Sequence, residues 1–451
     1  MLKAYKNIAI IIILVNGFVQ YGCSSKDDES PIDPNPMVFS NQIDAVTTLG
    51  GTKNESAQAI KNTTDGGYVI LGYTQSMDGD IFDKQNESFD YWLLKYDAQS
   101  ELQWSKTYGG TGTDVGSDIV QTNDGGYAII GYSTSSDEDV TENAGAHDYW
   151  IAKLYPAGNI SWQRSFGYSG TDEGLSILQT NDNGYLITGV LDVSASGGAG
   201  NTRNANSRHA GGDYWAIKLN DSGIVQWSKY FGGSFTDVPY DVVQTDTGFI
   251  LAGSSDSDDV DISASNGQYD FWVISISNSG ALIWEKSFGG SEIDEARAIV
   301  ASDDGNFMVV GDTRSNDVDI SENLGGADLW VLKINPMGDM LWEKTIGGSS
   351  FDVGRSIKRL SDGGFLISGS SRSSDGDVNT NQGQNDAWVL KINSMGDLEW
   401  ENAIGGTSID FANDAIALND GSIIAVGETT SNDGDIDLNQ GFSDLLIIKL
   451  K

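Results

Sequence analysis

The chain has 451 residues, with 26 basic against 65 acidic side chains and a formal net charge of −39. That balance excludes a nucleic-acid binder, whose phosphate contacts need Lys and Arg, and fits a soluble surface protein or one that collects cations. Cys23 is the only cysteine, so no intramolecular disulfide forms and the fold must stand on packing alone.

In chain order, Lys3 and Lys6 precede an apolar run over residues 8–15. The run is too short to span a bilayer and reads as a signal peptide covering residues 1–22. It leads to Tyr21-Gly22-Cys23, which resembles a bacterial lipobox. Cys23 is then the expected lipidation site, and two or more acyl chains would anchor the protein on a membrane. An ordinary secretory signal with an incidental Cys is the alternative. The acidic stretch Ser24-Ser25-Lys26-Asp27-Asp28-Glu29 resembles the export tag of Bacteroidota surface lipoproteins, and otherwise reads as a solvated linker. With Pro31, Pro34 and Pro36 it makes residues 23–41 a semi-rigid tether.

From residue 42 onward the chain repeats itself. Gly-Gly steps recur at Gly50-Gly51, Gly109-Gly110, Gly232-Gly233, Gly289-Gly290, Gly347-Gly348 and Gly405-Gly406, with Gly167 in the same place. A second series runs through Gly72, Gly131, Gly189, Gly253, Gly311, Gly369 and Gly427. Self-similarity at a fixed period marks a repeat architecture. Each unit carries four strand signals, rich in β-branched and aromatic residues and without helical periodicity. In the second unit they are residues 118–122, 127–131, 149–154 and 160–166. Turns such as Asp65-Gly66-Gly67 and Asp124-Gly125-Gly126 join the first two. All twelve Trp fall at two repeat positions, one on the third strand and one on the fourth.

Four antiparallel strands repeated around a ring make a β-propeller. Counting third strands gives seven units. The last lacks a fourth strand, and a spare one lies at the other end, at Ile43–Leu49. The predicted fold is therefore all-β, a seven-bladed propeller over residues 42–451. Its last blade would be closed by the N-terminal strand beside residues 443–450. Both missing Trp positions, Ala45 and Leu446, fall in that blade. An open solenoid of the same units is the alternative. The Asp-Gly-Gly-Tyr, Asp-Tyr-Trp and Trp-x-Lys-x-Phe-Gly-Gly pieces resemble the seven-bladed β-propeller repeat lipoproteins of Bacteroidota-type Gram-negative bacteria. That resemblance covers roughly residues 42–451. It implies an outer-membrane, cell-surface location and says little about activity, since propellers host many functions.

The loop between the second and third strands is acidic. Six copies place an Asp six residues past the second-strand Gly (Asp78, Asp137, Asp259, Asp317, Asp375, Asp433) and another two later (Asp80, Asp139, Asp261, Asp319, Asp377, Asp435). A third Asp precedes the next strand: Asp90, Asp148, Asp213, Asp270, Asp328, Asp386 and Asp444. The loop leading into the first strand adds Asp114, Asp172, Asp237, Asp294, Asp352 and Asp410, and both sets are expected on one face. Oxygen-bearing residues at loop positions 1, 3, 5, 7 and 12 suit a hard cation such as Ca²⁺. Asp and Asn capping their own turns is the competing reading.

The third copy departs from the rule, with Ala195 and Gly197 in place of the Asp pair and an insertion carrying Arg203, Arg208 and His209. On the first strands, Arg297 and Arg355 occupy one position in adjacent units, near the expected top of the channel. These five residues are the candidate ligand contacts, with salt bridges to nearby Asp as the alternative for the two strand arginines. No catalytic residue is assigned: only two His are present, and there is neither a nucleophile elbow nor a phosphate loop. The expected function is a surface-anchored, non-enzymatic binding or scaffold propeller, Ca²⁺-stiffened, with a glycan or protein ligand. The alternatives are a carbohydrate-active enzyme (glycoside hydrolase or lyase) using the Asp of that face, and a structural subunit of an envelope assembly.

Overall fold

The structure, a computed structural model, describes residues 39–200 and 209–451. The signal peptide, Cys23, most of the tether, Arg203 and Arg208 lie outside the described residues.

Seven four-stranded antiparallel sheets form the ring. Blades one to six span residues 55–108, 114–166, 173–231, 237–288, 294–346 and 352–404, each an uninterrupted meander. Blade seven takes three strands from residues 410–450 and its outer strand from Ile43–Leu49. That strand pairs with Asp444–Leu450 in the register Val46↔Ile448 and Thr48↔Leu446, which closes the ring as the sequence predicts. The first strand of each blade touches the first strand of the next, and the circle is completed between Glu55–Asn62 and Asp410–Ala417. These seven are the inner strands around the channel.

The packing starts three residues before the expected boundary. Phe39 lies against Trp400, ring centres 5.1 Å apart, and the Ser40 and Gln42 N–H groups donate to the Lys451 carbonyl at 3.0 Å.

The core lies between blades rather than within them. One cluster joins Val69, Leu71 and Leu93 of blade one to Ile119, Ile129 and Trp150 of blade two. Another joins Ile60 and Trp92 of blade one to Ile424 and Val426 of blade seven. Nearest-neighbour burial of this kind lets a long chain share its core around a ring. The Asp-Tyr-Trp motif is explained by it. Trp150 is fully buried, and its indole N–H reaches Gln163 Oε1 on the outer strand at 3.1 Å. Tyr91 of the preceding blade packs on Trp150 at 4.8 Å and donates its hydroxyl to the Trp150 carbonyl at 3.0 Å. Tyr214 and Trp272 repeat the arrangement at 4.6 and 2.8 Å.

The outer-strand Trp cover the turns of the following blade. Trp227 and Trp284 donate to the carbonyls of Asn278 and Pro336 at 3.0 and 3.1 Å. Gly280 and Gly338 in those turns have φ of 73° and 81°, and a Cβ on either would come within 2.9 Å of the covering indole. Glycine is required there by both backbone and space.

The Asp-Gly-Gly turns carry ion pairs to third-strand lysines, Lys95–Asp65 and Lys153–Asp124 each at 2.9 Å. Partial burial pushes the Asp65 and Asp124 carboxyls up, but bonds from a Thr hydroxyl, the Lys and a turn N–H outweigh it and hold both at about 2.

Candidate functional site: the acidic face and the channel mouth

The acidic loops and the loops leading into the inner strands interlock on one face. The first Asp of each loop accepts a backbone N–H just past the Gly-Gly step: Asp137 from Thr111, Asp317 from Ser291, Asp375 from Ser349 and Asp433 from Thr407, all at 2.8 Å. Asp78 and Asp259 do the same with Thr52 and Ser234 at 2.9 and 3.0 Å. The second Asp accepts the N–H of the first Gly. Asp80, Asp319, Asp377 and Asp435 meet Gly50, Gly289, Gly347 and Gly405 at 3.0, 3.2, 3.2 and 3.3 Å, and Asp139 and Asp261 meet Gly109 and Gly232 at 3.4 Å. The inner-strand carboxylate accepts the N–H of the second Gly, as Asp352 does from Gly348 at 2.7 Å and Glu55 from Gly51 at 2.8 Å.

The oxygens expected to converge on a Ca²⁺ inside each loop are thus engaged with backbone N–H groups. Asn143 and Asn381, at position seven, donate to the strand carbonyls of Ser133 and Ser371 at 2.7 and 2.8 Å. Among the described residues, no three His, Cys, Asp or Glu side chains are grouped to hold a metal ion. The Asp bonds tie the acidic loop to the loop entering the inner strand of the same blade, while Asn143 and Asn381 cap their own turns by accepting the Gly145 and Gly383 N–H at 3.0 and 2.9 Å.

The third Asp points elsewhere. Asp270, Asp386 and Asp444 accept the N–H four residues upstream through Oδ2, at 2.6, 2.7 and 2.7 Å, and Asp328 does so from Leu324. Each Oδ1 is turned toward the inner-strand carboxylate of the next blade, across the first Gly of the step. Burial, with the facing carboxylate adding to it, pushes the carboxyls of Asp328, Asp386 and Asp444 up to about 6. Two junctions carry a Lys or a His. Lys84 Nζ lies 3.0 Å from Asp90 Oδ1 between blades one and two. His209 Nδ1 lies 2.5 Å from Asp213 Oδ2 between blades three and four. His209, a candidate ligand contact in the sequence, is therefore buried at a junction, with its ring edge-on to Tyr230. The missing Asp pair of that blade is replaced by a single-turn helix, Val193–Ser196, which Asp192 caps by accepting the Ala195 N–H at 2.8 Å.

The same face opens on the channel. Arg297 and Arg355 stand on the inner strands of blades five and six, as the repeat predicts. Arg297 sits over Tyr240, 4.7 Å from the ring centre, and donates to Glu295 at 2.8 Å. Its Nε is 3.9 Å from Asp312 Oδ1. Arg355 sits over Phe411, also at 4.7 Å. It is exposed and, among the described residues, forms no ion pair. The salt-bridge alternative thus describes Arg297 and not Arg355. Desolvation at the channel mouth and the like charge of Arg297 pull the Arg355 guanidinium below its ordinary value, against the attraction of Glu428 and Asp312.

The second strands complete the mouth with residues the sequence reading did not select. Burial pushes Asp312 up to about 6 against the pull of Arg297, and raises Glu428. Tyr73 is pushed up to about 12, first by burial and then by Glu428. Tyr132 stacks on His147 at 4.4 Å, and His147 Nδ1 is 2.7 Å from Glu173. Tyr73, Tyr132, Asp312 and Glu428 each follow the recurring second-strand Gly. The signal was there: that position also holds Val190, Ser254 and Ser370, so it changes type from blade to blade.

Toward the turn end the channel holds a cavity of about 920 Å³ lined from all seven blades. Its charged wall is paired, Lys61 with Asp118 at 3.2 Å and Lys358 with Asp414 at 2.9 Å.

The chain is a seven-bladed β-propeller. No family model matches it, and no curated protein does. It is similar to solved structures of low identity. A protein of unknown function from Bacteroides caccae is 12% identical over 69% of this chain and 89% of that one, with a TM-score of 0.40. Sqt1 from Chaetomium thermophilum is 11% identical over 86% and 83%, with a TM-score of 0.43. Drosophila Plexin A in complex with Semaphorin 1b is 9% identical over 91% and 87%, with a TM-score of 0.45.

Proposed function

We propose that this propeller is a non-enzymatic binding protein whose ligand is an acidic glycan, held at the channel mouth by Arg355 and Arg297. One observation carries the reading. In a chain of net charge −39, Arg355 is an exposed guanidinium without an ion-pair partner among the described residues, seated over an aromatic ring. A guanidinium fork matches a carboxylate, and the rings of Phe411 and Tyr240 beneath hold the two guanidiniums in place. Asp312 and Glu428 stand beside the two guanidiniums, so an anion is held only where it meets the arginines themselves, which adds specificity. Lipidation at Cys23, export to the outer-membrane surface and tethering through residues 24–38 would put this mouth in contact with extracellular polysaccharide. The basic and apolar leader before a lone Cys supports that part.

A second reading has its own support. Asp312 and Glu428 are both raised and face the same mouth. A carboxyl raised by burial is what a carbohydrate-active enzyme uses as its general acid, with a second carboxyl nearby. One panel of acidic and neutral polysaccharides separates the two, scored both for retention on the protein and for new chain ends. Retention of the uronate-bearing members with no new ends is the expected result. New ends that vanish in Asp312→Asn would put the enzyme in place of the binder.

A further inference from the structure

The seven junctions between blades repeat one pair of acids: a third-strand Asp of one blade and the inner-strand Asp or Glu of the next. Between blades one and two, the Lys84 side chain is fully buried, and its Nζ is 3.0 Å from Asp90 Oδ1. Its charge also acts on Asp114, the other acid of that pair. Between blades three and four, His209 lies on Asp213 at 2.5 Å and 3.9 Å from Asp261. Both residues come from departures in the repeat. Lys84 takes the loop position that is Asn or Ser in five other copies, and His209 arrives with the insertion.

The remaining five junctions have no such residue. Asp148, Asp270, Asp328, Asp386 and Asp444 are at most 1% exposed. In every one of them Oδ1 is buried without a hydrogen-bond partner. This is the oxygen that Lys84 satisfies on Asp90. It faces the carboxylate of the next blade across the first Gly of the step. A Cβ built on Gly50 would lie 2.6 Å from both Asp444 Oδ1 and Glu55 Oε2. One built on Gly405 would lie 2.5 Å from Asp410 Oδ2 and 2.9 Å from Asp386 Oδ1. A buried carboxylate oxygen facing a second carboxylate is costly unless something positive lies between them.

We propose that a hard divalent cation of the calcium class binds at each of these five junctions, where Lys84 Nζ lies between blades one and two. Such an ion completes its shell with backbone carbonyls and water, so two acidic side chains per site suffice. With so few carboxylates the affinity falls on the order of 0.1–1 mM, the range of extracellular calcium modules. The ion would tie neighbouring blades together, independently of what the channel mouth binds, and would stabilise the ring by mass action.

The test uses the full chain purified in detergent and stripped with EDTA. Equilibrium dialysis against radioactive calcium, with a thermal melt in parallel, is expected to give about five ions per chain, one for each of the five junctions that lack a Lys or His, and a higher melting point. Asp328→Asn should bind one ion fewer. Asn323→Lys, which copies the blade-one solution into blade five, should also bind one fewer while melting higher than the wild type in EDTA. No calcium bound at several millimolar overturns the proposal, as does a melt that answers to acidification and not to calcium, since a proton would then be the occupant. Unchanged stoichiometry in both variants would place the ions elsewhere and equally overturn it.

Discussion

Deleting residues 39–49 is expected to abolish the single cooperative melt of the propeller. The deletion removes the outer strand of blade seven, whose partner Asp444–Leu450 is then left as an open sheet edge. The Phe39–Trp400 contact and the bonds from Ser40 and Gln42 to Lys451 disappear with it. A seven-residue ladder with each bond contributing about 1 kcal/mol amounts to roughly 5 kcal/mol or more, a large share of the usual stability of a domain. Because each core cluster joins two blades, loss at blade seven also loosens its neighbours. Calorimetry would show an early, broad transition, and a peptide spanning residues 39–49 added in trans should restore the sharp one. An unchanged melt would mean that three strands suffice for blade seven.

The second large effect is expected at Gly311, one of the seven recurring second-strand glycines. Gly311 pairs with Ala296 beside a β-bulge, where the inner strand presents a backbone carbonyl. A Cβ at this position would collide with the Glu295 carbonyl oxygen and lie 2.8 Å from Ala296 Cα. Backbone cannot swing aside as a long side chain can, and the blade around it is closely packed. Gly311→Ala is expected to cost about 3 kcal/mol, the upper part of the usual overpacking range. Gly305→Ala is the control. It sits in an open turn at φ 80° with nothing within 4 Å of the added atom, so only the backbone penalty of about 1 kcal/mol applies. Urea unfolding of the two variants should separate them clearly, and equal losses would remove the steric account of the repeat.

These glycines show what the sequence makes legible. Their spacing, the two Trp positions and the spare strand at Ile43–Leu49 define blade number and closure, because a repeated unit repeats its sterics. The direction of a side chain within a loop is a different matter. Asp377 and Asp328 lie in the same acidic loop pattern, yet one caps the Gly347 N–H and the other turns an oxygen toward Asp352. Periodicity reports which face an element presents and not which partner crosses to it from the next blade. The burial of His209 was illegible for that reason, since its partners Asp213 and Asp261 belong to different blades. The four-residue helix at Val193–Ser196 is too short to show a helical period. Asp312 and Glu428 stand on the second strand, which varies from blade to blade at the same height as the inner strand, and a single sequence gives no reason to prefer one strand's variation to the other's.

One calorimetric titration tests the channel mouth most directly. A short uronic-acid oligosaccharide and its neutral counterpart would be titrated into the wild-type chain and into Arg355→Ala. Binding of the uronate alone is expected, weakened by added salt as a charge-paired contact requires, and reduced at least tenfold in Arg355→Ala. A tenfold loss is about 1.4 kcal/mol, well within what a charge-assisted bidentate contact contributes. Equal affinity for the neutral sugar, or an Arg355→Ala protein that binds the uronate as the wild type does, would contradict it.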